Sequence, residues 1–226
     1  MRAWLVASAA LVLASCGGAA EEEAPAPEPA PAPTFDAGPR TLVAADLDLD
    51  SLGARIEGPE GNEVESEIPG LGTMVSFVAC PAAVEAPECD PDVLPEGTVY
   101  TYVHRVTLDT PAGKQDDKRA GGATLFRTTQ AAAGFANVIG FSREQAEQVL
   151  GANGDIKVQL DGGRLVWRIA AGDGWVPGET LTFFWRSTLP PVGPQEAFRL
   201  EGEGLSGMAT GPFPQELPVD ETPPRS

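Results

Sequence analysis

Residues 155–170 (DIKVQLDGGRLVWRIA) admit few backbones. Ile156, Val158 and Leu160 alternate with polar residues, and after Asp161-Gly162-Gly163 the residues Leu165, Trp167 and Ile169 recur at every second position. A helix would scatter these side chains around its circumference. A two-stranded ribbon puts each set on one face, and the glycine pair supplies the positive φ a tight hairpin needs. Other β-rich runs follow the same logic: residues 73–79 (TMVSFVA), 98–108 (TVYTYVHRVTL), 123–128 (ATLFRT), 180–188 (TLTFFWRST) and 197–201 (AFRLE). Residues 123–128 are expected to pair with 98–108 across the polar loop 109–122. One helix is expected at 143–150, where Ser142 and Gln145 have capping-box spacing and Gly151 supplies the stop. Many short strands with one helix give a mainly β chain. The expected fold is an antiparallel β-sandwich of the immunoglobulin-like class, with a partly open β-barrel as the alternative.

The N-terminus carries an address. Met1-Arg2 is a short positive region, residues 3–13 (AWLVASAALVL) are apolar, and small residues precede Cys16. This is the layout of an export signal, too short for a spanning helix. Leu13-Ala14-Ser15-Cys16 resembles the lipobox of bacterial lipoprotein precursors. The resemblance covers residues 1–16 only. It implies removal of signal peptide 1–15 and a covalent lipid on Cys16, with a diacylglycerol thioether and a further acyl chain such as palmitate on the freed amine. Two or more chains anchor stably, at ~0.8 kcal/mol per buried CH₂. Gly17, where Asp would favour retention in the inner membrane, suggests an outer-membrane location facing the periplasm. The inner membrane and the cell surface are the alternatives.

Behind Cys16, residues 17–34 hold six Ala, five Pro and four Glu. They offer nothing to bury and favour polyproline II, which would make 16–34 a tether reaching about 50 Å at ~3.1 Å per residue. One domain is expected over 35–210, with a Pro-rich extended tail at 211–226. Three cysteines is an odd number for an exported chain. With Cys16 lipidated, Cys80 and Cys89 remain, and a disulfide between them would close a Pro-containing loop at roughly 2.5–3 kcal/mol.

Composition narrows the functions. Thirty-three acids against fifteen bases, a net charge of −18, leave no basic footprint for nucleic acid. The expected partners are the membrane, through the lipid, and an envelope protein or glycan. Apart from that lipid no cofactor is expected. Asp46, Asp48, Asp50 and Glu57 fall at positions 1, 3, 5 and 12 of a calcium loop. Ser51 stands where that loop wants Gly, however, and Gly53 where it wants an apolar residue. The preferred reading is an alternating strand with Leu47 and Leu49 inward. The lone His104 shares a strand face with Tyr100 and Tyr102 by period two, and Trp175 sits among glycines in the loop 171–178. These four are the candidate ligand-binding residues, although each also has a structural reading as a core or loop-pinning group. Trp167 and Trp185 are expected in the core. No G-x-S-x-G elbow is present. The leading expectation is a non-catalytic envelope lipoprotein whose β-domain is an interaction or structural module. The alternatives are a carbohydrate- or peptidoglycan-binding module using the aromatics, and an envelope hydrolase with His104 as base.

Overall fold

Gly162 and Gly163 turn the chain with φ of 54° and 79°, the positive pair a two-residue hairpin requires. They join β8 (Asp155–Asp161) to β9 (Arg164–Ala171), with Asp161 opposite Arg164. The computed structural model describes residues 39–56, 63–82, 89–110, 122–202 and 204–214. Its other elements are β1 (Arg40–Leu42), β2 (Ala45–Asp46), a 3-10 turn (Leu49–Ser51), β3 (Val64–Ile68), β4 (Gly72–Ala79), β5 (Tyr100–Leu108), β6 (Ala123–Thr128), β7 (Phe135–Phe141), α1 (Arg143–Leu150), β10 (Thr180–Ser187), β11 (Pro191–Gly202) and β12 (Ser206–Pro214). The signal segment 1–15, Cys16, the tether to residue 34, Glu57 and residues 215–226 lie outside the described residues.

The strands form two six-stranded sheets, in the orders β1-β8-β9-β6-β11-β12 and β2-β7-β10-β5-β4-β3, and these do not close into a barrel. Every strand pairing is antiparallel except β2 with β7. The sheets face each other across an aromatic core. Phe126 of one stacks on Phe183 of the other at 4.9 Å between ring centroids. The indole N–H of Trp167 crosses the gap to donate to the Gly140 carbonyl at 2.8 Å. Both expected core tryptophans, Trp167 and Trp185, are buried.

The helix begins and ends as its residues dictate. The Ser142 hydroxyl accepts from the Gln145 backbone N–H, and Gly151 closes it at φ 78°. Pairing across sheets is less local than expected. β6 does not pair with β5; it lies in the other sheet between β9 and β11, while β5 lies between β4 and β10. The two strands therefore do not form the expected hairpin.

The C-terminal boundary is also corrected. Residues 211–214, expected as tail, are the end of β12, with Phe213 buried against Trp185 and Phe198. Prolines fit there because β12 ends its sheet, so one side of its backbone needs no donors, and because Pro212 and Pro214 sit opposite Pro194 and Pro191. Likewise β11 starts within the Pro-rich run. Its partner β6 engages it only from Phe198 to Gly202, so the prolines owe that neighbour nothing.

A second, smaller apolar cluster lies on the outer face of the β5 sheet. Leu47, Phe77, Ala79, Val103 and Phe184 are buried there, with Ala45, Leu52 and Val138 packed around them. The chain from β2 through the 3-10 turn covers this face. Beyond Ser76, where β3 stops pairing, residues 53–56 take over the free side of β4 through hydrogen bonds to Val78 and Cys80.

Candidate functional site

The strand β5 puts Tyr100, Tyr102 and His104 on one face, as period two requires, but that face is the interior. They are 3%, 0% and 0% exposed. The expected aromatic binding face is therefore part of the core. Opposite His104 in the ladders stand Ser76 of β4 and Phe183 of β10. Ser76 Oγ lies 2.9 Å from His104 Nδ1, and the Trp185 indole N–H donates to His104 Nε2 at 3.1 Å. An indole nitrogen only donates, so Nε2 must accept. A neutral imidazole then carries its proton on Nδ1 and donates it to Ser76. Burial lowers the His104 pKa to about 3, because nothing nearby compensates an imidazolium. Its ring lies 4.3 Å from that of Phe198 and 6.0 Å from that of Phe126.

Both ring nitrogens are thus engaged and no carboxylate orients the imidazole. A general base must reach a substrate proton, and His104 is sealed from solvent. The structure withdraws it from that role. Tyr102 stacks on Trp185 at 4.5 Å and donates its hydroxyl to the Leu189 carbonyl at 2.9 Å. Burial raises its pKa well above the phenolic value, with a smaller push from Tyr100. Tyr100 is raised too, by burial first and then by Asp90 and Asp92.

Trp175 is 1% exposed, not a surface contact. Its indole N–H donates to the Glu179 carbonyl at 3.1 Å, and the Glu179 carboxylate accepts the Val176 N–H at 2.9 Å. The ring meets Phe183 edge-on at 5.8 Å. The loop is pinned onto the end of the core by its tryptophan. Glycine-rich flanks mark the backbone's freedom, and they say nothing about which way the ring turns.

The acidic run is built into local structure. Asp46 accepts the backbone N–H of Arg143, the first residue of α1, at 3.0 Å, and Asp48 caps the 3-10 turn by accepting the Asp50 N–H at 3.0 Å. Among the described residues no group of three or more metal-ligating side chains forms. Leu47 is buried, but Leu49 is 39% exposed, because a 3-10 turn replaces the alternating strand expected there. Cys80 and Cys89 are disulfide-bonded with Cα atoms 5.8 Å apart, and both are buried. The bridge holds residue 89 beside Ile56 at the margin of the core.

One feature was invisible in the sequence. Leu49, Leu52, Gly53, Arg55, Phe77 and Arg105 line a cleft of about 190 Å³ on the outer face of the β5 sheet. The Arg55 guanidinium lies 3.9 Å from the Phe77 ring centroid and 2.7 Å from a Glu63 carboxylate oxygen. Arg105 is half-buried and forms no ion pair among the described residues. Its ladder neighbours are Val75 and Thr182, which carry no charge. A second cleft, of about 370 Å³, is lined by residues 130–134 with Phe213 and Pro214, and no charged side chain is among them. No helix among the described residues is long and apolar enough to cross a membrane. No protein-family model, curated protein or solved structure matches this chain.

Proposed function

We propose that the chain is a lipid-anchored envelope lipoprotein whose β-domain is a non-catalytic interaction module. The observation that carries the anchoring is the run of residues 1–16, with its positive start, short apolar stretch and Leu-Ala-Ser-Cys ending. The lipid on Cys16 supplies membrane attachment, which a chain of net charge −18 would not gain from anionic headgroups. A disulfide between Cys80 and Cys89 suits an oxidising compartment. The outer membrane facing the periplasm is the favoured location. The interaction role is supported by where the chemistry lies: the one imidazole is locked in the core, while two arginines line an open cleft. The immunoglobulin-like class is the finer fold reading, supported by inward alternation on both sheets and by repeated crossings of the chain between them.

Cys16→Ser tests the anchor. The variant is expected to leave the membrane fraction and to lose incorporation of labelled palmitate. Retention in washed membranes with no lipid label on the unmodified chain would overturn the assignment.

A further inference from the structure

We propose that the Arg55–Arg105 cleft binds a small carboxylate carrying a short apolar substituent, the chemistry of a peptide's C-terminal residue. Three observations converge. Arg105 is a half-buried cation with no carboxylate partner among the described residues, in a chain with more than twice as many acids as bases. A cation removed from part of its water gains from a counterion, and a guanidinium matches a carboxylate through two parallel N–H donors. Arg55 is already oriented, its plane over Phe77 and one terminal nitrogen on Glu63, so its remaining donors lose little freedom on binding. Leu49, Leu52 and Phe77 supply an apolar wall beside the charges, and about 190 Å³ suits one amino-acid-sized group. A multiply charged phosphate is the poorer fit, since Glu63 and the acidic surface oppose a dianion more than a single carboxylate.

This deepens the interaction-module reading and does not depend on lipidation. It is tested on the full chain, whatever the state of Cys16, so its failure leaves the membrane-fractionation result standing. N-acetyl-leucine is titrated while the backbone amides of residues 49–55 and the Arg105 Nε–H are followed by NMR. N-acetyl-leucinamide is the uncharged control and inorganic phosphate the competing anion. Saturable shifts confined to the cleft are expected with the acid and absent with the amide. Arg105→Gln is expected to weaken binding about tenfold or more, the value of one charge-assisted pair. The Trp185 indole resonance, on the opposite face, reports that the variant is folded. Arg55→Gln provides a second variant on another segment and weakens binding as well. The proposal falls if the amide binds like the acid, if phosphate binds as tightly, or if both variants bind unchanged.

Discussion

His104 and Arg105 are consecutive residues on one strand, yet they live in opposite environments. His104 points inward, is fully buried and has both ring nitrogens occupied by Ser76 and Trp185. Arg105 points outward into a cleft and has no ion pair among the described residues. Period two alone separates them. The difference shows that a polar residue's rarity does not mark it as functional. The chain's one histidine is a structural group that closes a hydrogen-bond circuit, while Arg105, an ordinary arginine, keeps donors to spare.

The contrast breaks most visibly from the inside. Trp185→Ala removes the donor to His104 Nε2 and the ring that stacks on Tyr102. It should cost about 3–5 kcal/mol, read as a lowered urea midpoint. A loss under about 1 kcal/mol would mean that the circuit contributes little.

A pH series sharpens the same point. The folded His104 pKa is about 3, against an ordinary value of 6.5. Between these values the unfolded chain binds a proton that the folded chain refuses. Stability should therefore fall as pH drops through that window, by up to about tenfold in the folding equilibrium per pH unit. Its neighbours Ser76, Trp185, Phe126 and Phe198 carry no charge to offset this. In His104→Gln the component should vanish, so the wild-type urea midpoint should fall relative to the variant's as pH drops from about 6 towards 3. Parallel profiles would refute the depressed pKa.

The smallest effect belongs to the outside. Arg105→Gln should change stability by no more than about 0.5 kcal/mol, because no partner in the fold depends on it. A larger loss by thermal melting would show that Arg105 is structural, and the contrast with His104 would collapse.

Much of the fold could be read because local and global preferences agree. The hairpin of β8 and β9, the helix with its Ser142 cap and the bridge between Cys80 and Cys89 each announce themselves within a few residues. β7 does not. Its register against β10 slips between Trp185 and Ser187, and Asn137 there adopts φ 59°, so no clean alternation marks the strand. Residue type also says little about direction. Trp175, Tyr100 and Tyr102 were candidates for contact because aromatic rings recognise ligands, but the same rings fill a core when their polar atoms find partners inside. The arginine cleft had no local signal. Arg55 and Arg105 lie far apart in sequence and line one cleft only because residues 53–56 pair with the edge of β4 while β5 pairs with its other side.

The strand order has a consequence for time. β6 is flanked by β9 and β11, both of which come later in the chain, and β5 waits for β10. The earliest described strands, β1 and β2, find partners only in β8 and β7. Almost no sheet can be completed by its own neighbours in sequence, apart from the meander β3-β4-β5 and two hairpins. Loop-closure entropy must be met before these distant pairings reward it, which places folding in the slow regime of milliseconds to seconds. A chain emerging N-terminus first would hold β5 and β6 with open edges until its last strands arrive, Phe198 and Phe213 among them. Assembly of this domain is therefore a late and nearly all-or-none event.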